Sequence, residues 1–369
     1  MNHKRYWVAF NAARGIGPAR LQRLIDVYGD VSAAWQATDD DLRLAGIDNT
    51  TRAALREAHR TLDPDALLAE LDQLQITVLT WDDPDYPQRL RDIAQSPPVL
   101  YLRGEFQPAD DFAVAIVGTR DPTPYGREVA QRLAVGLASA GVTVVSGLAR
   151  GIDAIAHRGA LKAGGRTIAV MANGLDRVYP PEHRQLAHDV SAHGVLLSDY
   201  PIGRKPDPGN FPARNRLISA LARATVVVEA GERSGALITA DFAVEQGRDV
   251  YAVPGSILSP KSAGSNRLLR DGAQPLLSVE ALLEDLNMGL VSAQTSVRMA
   301  FSTDPTEQAM LRMLTGDPVH VDDLGVQTGL PIEQVTSLLA LMELKGMVRQ
   351  VAGMHYVIVR EPGITYHID

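Results

Sequence analysis

The spacing of apolar positions changes twice along this chain. From residue 1 to about 80 they recur at helical intervals in short bursts. This predicts helices at Val8–Ala13 and Pro18–Tyr28, shorter pieces to about Leu44, and a helix at Asp63–Leu74. Beyond residue 81, apolar runs rich in Val, Ile and Ala alternate with longer amphipathic stretches. The runs predict strands at Ala113–Val117, Thr143–Ser146, Thr167–Val170, Val195–Leu197, Thr225–Glu229 and Asp249–Val253. The stretches predict helices at Gly126–Ala140, Asp153–Ala163, Glu182–His188, Arg214–Ala222 and Ala236–Gln246. Such alternation with buried strands makes an α/β fold, a mostly parallel sheet covered by helices on both faces. Ligands bind such sheets outside the carboxyl ends of the strands, so chemistry is expected in the loops after each strand.

After a linker at 291–304 the pattern turns helical again. Glu307–Leu314, Val321–Thr328 and Ile332–Leu344 read as three helices, followed by strands at Met347–Val351 and His355–Val359. Three helices and a β-hairpin are the order of a winged helix. The polar face of the third helix carries Glu333, Gln334, Thr336, Ser337 and Glu343, and lacks the cations that reading a duplex requires. A protein contact or weak binding is expected of it. Domains are thus expected at 1–80, 81–290 and 305–369.

In the first segment, Gly15-Ile16-Gly17-Pro18 forms a tight turn with Pro18 placed to open a helix. The pattern resembles a helix-hairpin-helix, whose helix N-terminus holds a phosphate on backbone amides. Ala45-Gly46-Ile47 reads as a degenerate second hairpin. A small helical bundle whose glycines only make turns fits the same residues.

Composition narrows the choice little. The chain has 369 residues, 45% of them hydrophobic and 22% charged, and a formal net charge of −8. An acidic total is no bar to a nucleic-acid partner, because binding depends on a local cationic patch. With no cysteine there is no disulfide, thiolate nucleophile or Cys-ligated zinc. No apolar run spans a bilayer and the start lacks a secretory core, so a cytoplasmic protein is expected.

Charge is unevenly placed. Between Tyr200 and Val227 stand five cations (Arg204, Lys205, Arg214, Arg216, Arg223) against one acid, Asp207, around Phe211. A ring beside guanidinium groups suits an unpaired strand, with a face for a base and charge for phosphates. The loops after the strands are rich in Gly, Ser, Thr, Asn and Arg. They include Gly118-Thr119-Arg120, Ser146-Gly147 with Arg150, Asn173-Gly174, Arg233-Ser234-Gly235, and Lys261 with Asn266. The first of them follows neither the dinucleotide nor the Walker spacing. Asp153 and His157, one helical turn apart, read as a helix cap and an exposed histidine more readily than as an acid–base pair.

The motifs Gly118-Thr119-Arg120, Ser146-Gly147-Leu148-Ala149-Arg150-Gly151-Ile152-Asp153-x-x-Ala156-His157, Asn173-Gly174-Leu175-Asp176-x-x-Tyr179-Pro180, Phe211-Pro212-x-Arg214-Asn215-Arg216 and Ser234-Gly235-x-Leu237-x-Thr239-Ala240 resemble the bacterial DNA-processing protein A family, as do Trp81–Pro87 and Pro97–Tyr101. The resemblance implies a Rossmann-like core between an N-terminal helix-hairpin-helix or SAM-like domain and a C-terminal winged helix. It implies a homodimer without cofactor or turnover that binds single-stranded DNA, protects it, and loads the recombinase RecA past single-strand-binding protein during natural transformation, or in repair. On the matching positions Arg120 holds phosphate, Phe211 stacks a base, and Arg214, Asn215 and Arg216 line the pocket beside Ser234-Gly235. Some members carry a lysine where this chain has Pro208; Lys205 or Arg204 is the expected substitute.

Two other readings compete. A phosphoribohydrolase of similar fold needs a catalytic glutamate where this chain has Thr239 or Ala240. A duplex-reading regulator acting through the last domain is opposed by its acidic third helix.

Overall fold

A computed structural model describes residues 3–286, 310, 319–328, 330–344, 348–351 and 354–358. Residues 1–286 form one compact unit and 287–369 another.

The first unit opens with six helices: α1 (Lys4–Ala12), α2 (Pro18–Tyr28), α3 (Val31–Gln36), α4 (Asp39–Leu44), α5 (Asn49–Thr61) and α6 (Pro64–Gln73). Their sequence signals are local. Asp30, Asp48 and Asp63 cap α3, α5 and α6 through their carboxylates, and Pro18 and Pro64 occupy first-turn positions. The expected turn at Gly15–Gly17 is present, with Gly15 at φ +88°. Helix α5, whose apolar stripe is thin and made largely of alanine, was not anticipated. Its buried Leu55 and Ala58 join Trp7, Phe10, Leu21, Leu24 and Trp35 in one core, where Phe10 meets Trp35 edge-on at 5.1 Å.

This bundle is not a free-standing neighbour of the sheet. Trp7 Nε1 donates to Asp82 at 3.0 Å, Tyr101 Oη donates to Asn11 at 2.9 Å, and Trp7 packs edge-on against Trp81. The sheet also starts earlier than expected. β1 (Thr77–Thr80) pairs antiparallel with β2 (Val99–Gly104), which pairs antiparallel with β6 (Val195–Ser198).

The remaining strands are β3 (Ala113–Val117), β4 (Thr143–Ser146), β5 (Thr167–Val170), β7 (Ala224–Val227), β8 (Asp249–Ala252) and β9 (Gln274–Pro275). The nine-stranded order is β1-β2-β6-β5-β4-β3-β7-β8-β9, parallel from β6 to β9. Strands β3 to β7 are buried at every position, which explains their near-continuous apolar runs. Connecting helices are α7 (Gln88–Arg91), α8 (Pro124–Ser139), α9 (Ile152–Lys162), α10 (Arg184–His193), α11 (Asn210–Leu221), α12 (Gly235–Glu245), α13 (Ala263–Arg270) and α14 (Val279–Asp285). Helix α11 begins four residues earlier than expected, so Phe211 sits in its first turn rather than in a loop. From β3 the chain winds one way to β6, then returns to the other side of β3 as β7. The switch point therefore lies between the carboxyl ends of β3 and β7.

The second unit holds β10 (Val319–His320), α15 (Val321–Thr328), α16 (Ile332–Leu344), β11 (Val348–Val351) and β12 (His355–Ile358), with sheet order β10-β12-β11. Met310, Leu324, Val335, Leu339, Met342 and Tyr356 form its core. The short β10, which completes a three-stranded sheet, was not expected. Apart from Met310, the expected first helix lies outside the described residues, as does the linker.

Candidate nucleic-acid interface

Loops from six strands meet at the carboxyl rim around a cleft of about 760 Å³. After β3 come Gly118, Thr119 and Arg120; after β4, Ala149 and Asp153; after β5, Tyr179. After β6 come Pro206, Pro208 and Phe211 with Arg214 and Asn215; after β7, Arg233, Ser234 and Gly235; after β8, Lys261. The loops are tied together by backbone. Thr119 N donates to Glu229 O at 2.7 Å, and Ile152 N to Thr119 O at 3.2 Å. Glu229, 3% exposed, accepts from Thr123 N and Oγ1 at 2.8 and 2.9 Å and so fixes the start of α8. Gly151, at φ +77°, lies so close to the Thr119 carbonyl that any Cβ would clash.

Phe211 lines the cleft beside a second ring and two arginines. Tyr179 meets it at 5.7 Å with a 59° tilt, Arg120 lies 5.3 Å from its centroid and Arg214 5.9 Å. Tyr179 is a ring that the sequence-derived site residues omitted, although it stands in a quoted motif; its position after the Asn-Gly-Leu-Asp loop was the available signal. Arg120 and Arg233 are exposed, and neither pairs with a carboxylate among the described residues. Lys261 bridges to Asp121 at 2.6 Å, and that cation holds the Asp121 carboxyl below its ordinary value. At the start of α12 Ser234 Oγ accepts from Ala236 N at 3.3 Å, and Gly235 is exposed.

Several expected residues do other work. Arg214 is 3% exposed. Its Nη1 donates to Gly147 O at 2.8 Å and to Val170 O, and its guanidinium faces Asp153. It lines the cleft as part of its floor and is not a free phosphate ligand. Gly147 is required beside it, since a Cβ there would lie 2.6 Å from Arg214 Nη2. Arg216 does not reach the cleft: it is 8% exposed and pairs with Asp199 at 2.6 Å. Ser146 is fully buried and donates to Ile116 O at 2.6 Å. Arg150 pairs with Glu182 outside the cleft. Asn266 exchanges two hydrogen bonds with the Gly255 backbone, at 3.1 Å each. Lys205 and Arg204 are exposed but do not line the cleft, where Pro206 and Pro208 stand instead. The basic island is therefore not a patch. The exposed cleft cations come from loops far apart in sequence.

Nor is His157 exposed. It is fully buried, accepts from Leu148 N at 3.3 Å and meets Thr167 Oγ1 at 2.7 Å, while His183 Nδ1 meets Leu148 O at 2.9 Å. Two histidines thus clamp Leu148, held at φ +56°. Asp153 accepts from Gly147 N and Ala149 N at 3.2 and 3.3 Å. Burial pushes its carboxyl up, opposed by Arg214. Burial, then His183 and Arg214, pushes His157 down to about 3. The unfolded chain protonates this histidine below about 6.5 while the folded one does not. Stability is thus expected to fall as pH drops from about 6.5 towards 3, and His157→Gln should flatten that part of the profile in a denaturation series. An unchanged profile would remove His157 as its source.

The family model described as DNA recombination-mediator protein A matches residues 77–287, more than half of the chain. The chain belongs to that family. A model described as the DprA winged helix domain matches residues 294–354. Protein Smf of Synechocystis is 36% identical over 96% of this chain and 98% of its own length. DNA processing protein A of Streptococcus pneumoniae superposes with a TM-score of 0.66 at 34% identity, over 77% of this chain and 97% of that one. The Helicobacter pylori protein, solved for its single-stranded DNA binding mode, gives a TM-score of 0.53 at 32% identity, over 57% of this chain and 95% of that one. Among the described residues no helix is long and apolar enough to cross a membrane.

Proposed function

We propose that the cleft at the switch point grips single-stranded DNA, and that the protein uses this grip to protect incoming strands and load RecA onto them, past single-strand-binding protein, in natural transformation and in repair. One observation supports the reading most: two rings, Phe211 and Tyr179, 5.7 Å apart in a 760 Å³ cleft rimmed by exposed Arg120 and Arg233. Every base has a face to stack, so rings give grip without sequence choice. Phosphates are held by Arg120, Arg233 and Lys261, with the Gly235 backbone amide at the start of α12 as a further donor. Arg214 and Asn215 shape the floor. The role requires no turnover and no cofactor. A homodimer presents two such clefts to one strand, and the second engagement gains from effective concentration.

The test is a salt titration with oligothymidine. Arg120→Ala is expected to weaken binding and to flatten the dependence of log K on log salt by about 0.7. Weaker binding with an unchanged slope would remove Arg120 as a phosphate ligand.

A further inference from the structure

Helices α11 and α12 start at the cleft and end at the opposite rim of the sheet, where a second group of cations stands. Arg223 lies two residues beyond α11 and Arg248 three beyond α12, and Arg89 joins them from α7. Arg89 Nη2 and Arg223 Nε both donate to the Asp111 carbonyl, at 3.3 and 3.1 Å, and Arg223 lies 4.0 Å over the Phe112 ring.

A cation after a helix ordinarily answers the negative end of the helix dipole. That accounts for Arg223 and Arg248 singly, but not for three arginines gathered together. None of the three has a carboxylate within 4.0 Å among the described residues. Arg89 is partly buried, which lowers its pKa, and Arg248 and Arg223 lower it further against the weaker opposition of Asp111 and Asp92. Arg89 Nη1 and Arg248 Nε are buried and have no hydrogen-bond partner. Unpaired buried donors are costly, and an acceptor that reached them would offset that cost. A groove of about 410 Å³ leads to Arg248, with Ile93 and Phe242 as apolar walls and Gln246, whose Oε1 is also unpartnered. Asp92, Glu245 and Arg216 line it as well, so the groove is of mixed charge.

We propose that Arg89, Arg223 and Arg248 hold a backbone phosphate of a strand whose other part occupies the cleft. Helices of 11 and 12 residues separate the two places by about 16–18 Å. One polyanion therefore reaches both, and the second contact forms at high effective concentration. The inference rests on the cleft binding single strands.

The experiment compares a thymidine trimer, too short to span the two places, with a thirty-mer on the full-length protein and on Arg89→Ala/Arg248→Ala. For the thirty-mer, affinity should fall about tenfold or more. Its salt slope should flatten by about 0.7 for the phosphate lost. Trimer binding should be unchanged, which also shows that the variant folds and that the cleft works. Arg89→Lys/Arg248→Lys should keep most of the thirty-mer slope, since charge is retained. Equal losses for both lengths, or no loss for the thirty-mer, would overturn the second site. Failure of the unaltered protein to bind the trimer would instead overturn the cleft reading.

Discussion

Replacing Arg214 with alanine is expected to lower the free energy of unfolding by about 3–5 kcal/mol, the cost of leaving a buried charge uncompensated. The guanidinium is 3% exposed, joins β5 to the loop after β4 through the carbonyls of Val170 and Gly147, and faces the 7% exposed Asp153. Without it that carboxylate keeps the amides of Gly147 and Ala149 and the Ser146 hydroxyl, but no cation. Domains are stable by about 5–15 kcal/mol in all, so the loss is a large share. Lysine cannot replace the fork that reaches both carbonyls. Chemical denaturation checks this: a change below about 1 kcal/mol would mean that Arg214 is not structural. Lost DNA binding in this variant should therefore be read as a misshapen floor before it is read as a lost phosphate contact.

The second large effect is on affinity. Phe211→Ala should weaken oligothymidine binding by about 1–3 kcal/mol, roughly five- to 150-fold, with the salt slope unchanged. A stacked ring releases no counterions, whereas Arg120 does. Phe211→Trp should retain binding, because the face is kept. Anisotropy titrations across salt concentrations separate the two roles. A slope that flattens in Phe211→Ala would mean that the ring acts by holding Arg120, 5.3 Å away, and not by stacking.

The core of this fold was legible because its strands are buried on both faces, so Val114–Val117, Val144–Val145 and Val226–Val227 read as continuous apolar runs. The antiparallel edge was not. Thr77–Thr80 is short and half polar, and β2 follows the Pro97-Pro98 turn, which reads as a break. Within the site, glycine-rich loops after successive strands located the rim correctly, since topology places such loops together. Side-chain direction was the missing information. Arg214 and Arg216 are two apart on α11, so they point to different sides of the helix, one into the cleft floor and one towards Asp199. Clustering in sequence suggested a patch; the exposed cations Arg120 and Arg233 come from loops more than a hundred residues apart.

Photo-cross-linking of bromodeoxyuridine-substituted oligothymidine to the full-length protein, followed by peptide mapping, addresses the central claim most directly. The account predicts adducts at Phe211 or Tyr179, suppressed by unlabelled oligothymidine and reduced in Arg120→Ala. Adducts confined to the N-terminal helices or the winged helix, with none at either ring, would contradict it.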